Sequence, residues 1–144
     1  MQLFTIGFTK KSAQTFFTTL KTSGAKTLVD VRLNNVSQLA GFTKRDDLAY
    51  FVKTIGGMDY VHAQQLAPTQ EMLNEYKKNT KDWPSYERRF LDLLAQREVE
   101  KSTPKELIDG ACLLCSEPTH ERCHRRLVAE YFGKKWGSLQ VFHL

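Results

Sequence analysis

Residues 111–115 read Ala-Cys-Leu-Leu-Cys, five apolar side chains in a row. A run of this length without polar alternation is typical of a strand that is buried on both of its faces. Such strands occur in parallel sheets that are covered by helices on each side. This stretch is the clearest strand in the chain, and it indicates a sheet at the centre of the protein.

Four further segments predict strands, because they are short, apolar and rich in β-branched or aromatic side chains. The run at 27–31 (Thr-Leu-Val-Asp-Val) has the strongest β-branched character of the four. The predicted strands, besides 111–115, are residues 3–6, 27–31, 59–62 and 139–142.

Helical patterns separate these strands. Ser12 is a suitable N-cap for a helix that Gly24 would end, and Thr43 with Asp46 resembles a capping box. Pro84 suits the first turn of a later helix. Five helices are predicted: one that follows Ser12, one from Thr43 to Gly56-Gly57, one over 70–79, one that begins near Pro84 and one over 120–132.

The alternation of strands and helices predicts an α/β fold with a mostly parallel sheet. We expect residues 1–144 to form a single domain, a three-layer sandwich with about five strands. The pattern does not determine the order of the strands.

The composition is that of a globular domain, with 41% hydrophobic and 26% charged residues. No apolar run approaches the roughly 20 residues of a membrane-spanning helix, so we expect no membrane association. The N-terminus does not resemble a signal peptide, and three cysteines cannot all pair within one chain. These features favour a cytoplasmic protein with reduced thiols.

The net charge is +5. The excess of basic residues lies before residue 58 and after residue 110, and the middle of the chain is slightly acidic. The charge is compatible with a nucleotide or nucleic acid as partner, but it does not form a basic run, and a solvated surface is the favoured explanation. The oligomeric state is not indicated.

Polar side chains follow the predicted strands at the point where each strand ends. In an open α/β sheet, ligands bind beyond the carboxyl ends of the strands. We therefore expect a pocket there, and its candidate residues are Asp30, Arg32, Ser37, His62, Cys115, Glu117, Cys123, His124 and Arg125.

The cysteines differ in their expected roles. Positions three apart in a strand point to opposite faces, so Cys112 is expected to be a core residue rather than a partner of Cys115. Cys115 and Cys123 fall at the edge of the sheet beside His124. Four interpretations remain open: reduced structural thiols, a catalytic group, a zinc or iron site of Cys115, Cys123 and His124 with His62 or His120 as a further ligand, and a redox disulfide.

Within the catalytic interpretation, Cys115 or Cys123 is the nucleophile, and Glu117 and His124 move protons. Arg32 and Arg125 would bind a carboxylate or phosphate. Alternatively, these arginines form internal ion pairs with Asp30 or Glu117. No nucleotide-binding glycine motif is present, so no organic cofactor is predicted.

Several short motifs occur in order: Thr-Ile-Gly at 5–7, Asp-Val-Arg at 30–32, Tyr-Val-His at 60–62, Cys-Ser-Glu at 115–117 and Cys-His-Arg at 123–125. In this respect the chain resembles the bacterial and archaeal family catalogued as domain of unknown function 488. The resemblance implies an α/β domain with these motifs at its site, and it supplies no activity.

The same nine candidate residues carry over by this resemblance. Two departures from the family pattern lie near the expected pocket, at Asn35 and at Leu66-Ala67-Pro68.

The leading hypothesis is a small enzyme that acts on a nucleotide or nucleic acid through this pocket. The alternative is a non-catalytic module that binds nucleic acid or metal and has a structural Cys/His block.

Overall fold

The computed structural model describes residues 1–36, 41–78, 82–117 and 121–144. Its strands form one sheet in the order β3-β2-β4-β1-β5, and every pairing between neighbours is parallel. The central strand is the apolar run that the sequence predicts, and all five of its residues are buried. The strands are β1 (Gln2–Gly7), β2 (Thr27–Asp30), β3 (Asp59–His62), β4 (Ala111–Cys115) and β5 (Gln140–His143).

Helices connect these strands. Ser12 caps the first helix by accepting a hydrogen bond from the Thr15 N–H at 3.1 Å, and Gly24 ends it with a φ of 75°. The helices are α1 (Ala13–Ser23), α2 (Arg45–Gly56), α3 (Gln70–Lys78), α4 (Trp83–Gln96), α5 (Val99–Ser102), α6 (Lys105–Ile108) and α7 (His124–Trp136).

Two apolar clusters lie on opposite faces of the sheet. One contains Phe16 of α1 and Leu48 of α2, and the other contains Phe90 of α4 and Phe132 of α7. The fold is thus a three-layer α/β sandwich, and the sequence-based prediction of the fold class is confirmed. Among the described residues, no helix has the length and apolar character that crossing a membrane requires.

The predicted start of α2 is wrong. Thr43 is buried in a short 3₁₀ turn (Gly41–Thr43), and the N-cap position falls on Lys44, whose side chain makes no capping bond. The carbonyl of Thr43 accepts a hydrogen bond from Arg32 instead. This tertiary contact holds residue 43 in the turn before the helix.

The predicted start of the last helix is also wrong, because Cys123 is the N-cap and the helix begins at His124. Residue 120, the first residue of the helix predicted over 120–132, lies outside the described part of the chain. The later start matters for function, since it brings Cys123 and His124 to the end of a helix that packs on β4.

The parallel pairing gathers the strand ends at one edge of the sheet. Gly7 of β1 is opposite Cys115 of β4, and Asp30 of β2 is opposite both Leu114 and His62. The carboxyl ends of four strands therefore bring the sequence motifs together.

Candidate active site

The centre of the site is a pair of buried side chains, Cys115 and His124. Cys115 is the last residue of β4 and His124 is the first of α7. The Cys115 Sγ lies 3.3 Å from the His124 Nδ1. Only 4% of Cys115 and 8% of His124 is exposed, so the contact is largely removed from water.

The orientation of His124 is fixed by the backbone. Its Nε2 lies 2.6 Å from the carbonyl oxygen of Val31, and because a carbonyl can only accept, Nε2 must carry a hydrogen. The Nδ1 is then free to accept the Cys115 proton or, when protonated itself, to donate to the thiolate. An edge contact with Phe90, with ring centroids 5.5 Å apart, supports the imidazole.

The surroundings favour an ionised Cys115. Burial opposes its ionisation, but a hydrogen bond with Cys123 and the charge and hydrogen bond of His124 outweigh burial, so the pKa of Cys115 lies well below its usual value. Burial would lower the pKa of His124, but Cys115 raises it. Burial and the hydrogen bond with Cys115 raise the pKa of Cys123.

Arg125 adds an unbalanced positive charge next to the thiols. It is 1% exposed, its Nη1 donates to the Glu117 carbonyl at 2.7 Å, and the same Nη1 lies 3.9 Å from the Cys123 Sγ. Within the described residues no carboxylate lies within ion-pair distance of it. A buried guanidinium without a carboxylate favours negative charge on a neighbouring thiol or on a ligand.

Gly7 allows Arg125 and the Glu117 carbonyl to lie close to the end of β1. A Cβ at this position would lie 2.5 Å from the Arg125 Nη1 and would overlap the Glu117 carbonyl oxygen. The glycine of the Thr-Ile-Gly motif is therefore required by the close approach of the loop that follows β4.

Arg32 and Asp30 form a buried ion pair, which is the alternative that the sequence left open. The Arg32 Nε and Nη2 each lie 2.8 Å from an Asp30 oxygen, and Tyr60 donates to the same carboxylate at 2.5 Å. Burial and the hydrogen bond to Asp30 raise the pKa of Tyr60. The Arg32 Nη1 is buried and has no partner among the described residues.

A cavity of about 440 Å³ opens at this edge of the sheet. Five of the nine candidate residues line it: Arg32, Cys115, Glu117, Cys123 and His124.

Three other candidates, Asp30, His62 and Arg125, support the lining rather than forming it. His62 contacts the Arg32 carbonyl oxygen through Nε2 at 2.8 Å, and it holds the chain after β2 in place. Glu117 has an exposed side chain and presents its carboxylate to solvent at the cavity. Ser37 and His120 lie outside the described residues.

Sequence reasoning missed the aromatic wall of the cavity, which α3 and α4 supply. Tyr76, Trp83 and Tyr86 all line it. The sequence did contain a signal for this wall: three aromatic side chains occur within eleven residues, on either side of the polar link between two helices. Arg122 and Lys77 were missed as well, and both are exposed on the lining.

The two thiols and His124 could also hold a metal ion. Their ligand atoms lie within 4.8 Å of one another, and all three residues are buried. The set suits zinc or iron, and the hydrogen bond from Nε2 to a backbone carbonyl is the usual support of a metal-binding histidine. His62 is not part of this described group.

The fold and the site define a class: an α/β protein with a Cys-His pair at the carboxyl ends of its parallel strands. Residues 12–132, most of the chain, match the family model described as "Domain of unknown function DUF488", and the chain belongs to that family. The resemblance drawn from the motifs is thereby confirmed. No curated protein and no solved structure gives a significant match.

Proposed function

We propose that the protein is a thiol-dependent enzyme that acts on a small anionic substrate, with Cys115 as nucleophile. The observation that supports this most directly is the 3.3 Å contact between the Cys115 Sγ and the His124 Nδ1, on the wall of the cavity. A nucleophile within hydrogen-bond reach of a base, with the base oriented by a third group, is the usual arrangement in nucleophilic catalysis. Here the third group is the Val31 carbonyl.

The chemistry is a group transfer. The Cys115 thiolate attacks an electrophilic atom of the substrate, a bond from sulfur to that atom forms, and the bond to the leaving group breaks. The leaving group takes the bonding electrons and receives the proton from the His124 Nδ1. Water then attacks the sulfur-bound group, gives a proton to His124 and releases the thiolate. Glu117 provides a carboxylate on the lining that can hydrogen-bond this water.

The anionic character of the substrate follows from charge. Asp30 neutralises Arg32, and a thiolate on Cys115 neutralises an imidazolium on His124, but Arg125 remains unbalanced among the described residues. Arg122 and Lys77 add two positive charges to the lining and the Glu117 carboxylate adds one negative charge, so a positive excess remains. A bound anion would offset this excess.

Selective alkylation of the cysteines tests the proposal. We expect iodoacetamide at neutral pH to modify Cys115 rapidly, because its pKa is lowered, as measured by mass spectrometry of peptides over time. Cys112 is the matched control in the same strand, since burial raises its pKa, and we expect it to stay unmodified.

Equal, slow modification of Cys112 and Cys115 in the folded protein would contradict the proposal. Cys115→Ser is expected to abolish the fast phase, and Cys112→Ser is expected to leave it unchanged.

A metal centre is a second candidate, favoured by the three ligand atoms within 4.8 Å of one another. It would use Cys115, Cys123 and His124 as ligands and leave a position for water or substrate. Elemental analysis of untagged protein tests it: one equivalent of zinc or iron that is lost in Cys123→Ser and kept in Cys112→Ser would establish it. Absence of metal in protein purified without chelators would remove it.

A further inference from the structure

One wall of the cavity is a fixed set of aromatic rings. Trp83 stacks on Tyr86 with centroids 5.2 Å apart and an interplanar angle of 23°, and Tyr76 contacts both rings. Tyr86 in turn stacks on Phe90, which touches His124. All three outer rings line the cavity, and Trp83 is only partly buried. Aromatic surfaces held in this way bind planar rings by stacking.

The lining also presents hydrogen-bond donors to an anion. Arg32 is 4% exposed, and Asp30 and Thr43 occupy its Nε and Nη2. Its Nη1 is itself buried and has no hydrogen-bond partner among the described residues, so a ligand in the cavity does not reach it in this arrangement. Arg122 is an exposed cation on the same lining.

The size of the cavity limits the ligand. About 440 Å³ is within the range of roughly 300–1,000 Å³ that small-molecule sites occupy. A site for a nucleic-acid strand is a longer groove in which several cations follow the backbone. The limited volume and the few cations on the lining favour one small molecule.

We infer that the cavity binds a single anionic compound with a planar ring, of the size of a nucleoside monophosphate. The ring lies against Trp83 and Tyr86, and the anionic group takes Arg122 and Lys77, the exposed cations of the lining. This inference deepens the proposed function and rests on it, because the same cavity presents Cys115. A nucleoside monophosphate and an aromatic carboxylate share this chemistry.

Fluorescence titration tests the inference. The chain has two tryptophans, and Trp136 stacks on Phe132 away from the cavity lining, so Trp136→Phe leaves Trp83 as the reporter. We expect AMP, UMP or benzoate to change the Trp83 emission, and the tightest of them identifies the source of the ring. Adenosine and inorganic phosphate, each lacking one half of the ligand, are expected to bind at least about tenfold more weakly.

Two variants check the contacts by calorimetry in the otherwise wild-type protein. Trp83→Leu is expected to weaken binding about tenfold, as loss of one stacking contact does. Arg122 is exposed, so Arg122→Ala should fold normally. We expect this variant to bind the monophosphates more weakly and adenosine as the wild type does. Arg88→Ala, an exposed residue of α4 outside the lining, is the matched control and should bind like the wild type.

The outcomes separate this inference from the proposed function. Binding that persists in Cys115→Ser supports the inference even if Cys115 proves unreactive. A reactive Cys115 in a protein that binds none of the three ring-bearing anions would overturn the inference and leave the proposed function standing. Tighter, steeply salt-dependent binding of an oligonucleotide than of any monophosphate would also overturn it.

Discussion

Cys112 and Cys115 lie in the same strand and differ in their chemistry because of the direction in which each side chain points. Alternation along β4 places Cys112 in the cluster with α1 and α2, where burial raises its pKa. Cys115 faces the opposite side and meets His124. The reactivity proposed for Cys115 is thus a property of its neighbours and not of the residue type.

Gly7→Ala is expected to lower the free energy of unfolding by about 1–3 kcal/mol, because the added Cβ collides with the backbone of Glu117 and with Arg125. Denaturant unfolding measures the change. We also expect slower alkylation of Cys115, since the loop after β4 must move.

Gly133→Ala is the matched control. Its added Cβ meets nothing within 4 Å outside its own helix, so the substitution should be neutral or stabilising by about 0.5–1 kcal/mol. Equal effects of the two substitutions would show that the close approach at Gly7 does not matter.

At the scale of elements, the chain between β2 and α2 is anchored by Arg32. Its guanidinium joins the carboxylate of Asp30 at the end of β2 to the carbonyl of Thr43 before α2. This pair is buried, so removal of one partner leaves an uncompensated charge in the interior.

Arg32→Ala is accordingly expected to lower the free energy of unfolding by about 3–5 kcal/mol, measured by denaturant titration. Lys53→Ala is the matched control, because the pair of Lys53 with Asp59 has a similar length of 3.0 Å and is exposed. We expect Lys53→Ala to change the free energy of unfolding by less than about 1 kcal/mol. A small effect of Arg32→Ala would refute the anchoring role.

Elements with strong local signals were predictable from the sequence. The apolar run of β4 and the cap and glycine of α1 depend on nearby residues, and both predictions are confirmed. The start of α2 was wrong because a long-range hydrogen bond from Arg32 to Thr43 sets it. The strand order depends on packing across the whole sheet, which no local pattern records.

In the candidate site, too, the residues with local sequence signals were predictable and those brought together only by folding were not. The grouping of Cys115, Cys123 and His124 followed from the strand ends and one helix start, and the structure brings the three side chains together. The aromatic wall was missed because its rings come from α3 and α4, and only the folded chain brings these helices to the cavity.

At the scale of the whole molecule, one sheet separates two apolar clusters, so each cluster depends on the same strands. We expect thermal unfolding followed by far-ultraviolet circular dichroism and by tryptophan fluorescence to give coincident curves. Both tryptophans report on the cluster with α4 and α7, whereas dichroism reports on all helices. Two separated transitions would contradict a single domain.

The pH dependence of Cys115 alkylation tests the central claim most directly. A lowered pKa means that the thiolate is present above that pKa, and the raised pKa of His124 keeps its imidazolium partner to higher pH. The wild-type rate should therefore stay nearly constant between about pH 7 and 8.5. In His124→Gln, which can keep the bond to the Val31 carbonyl, the rate should instead rise about tenfold per pH unit towards the ordinary thiol pKa of about 8.5. A wild-type rate that rises just as steeply would contradict the account.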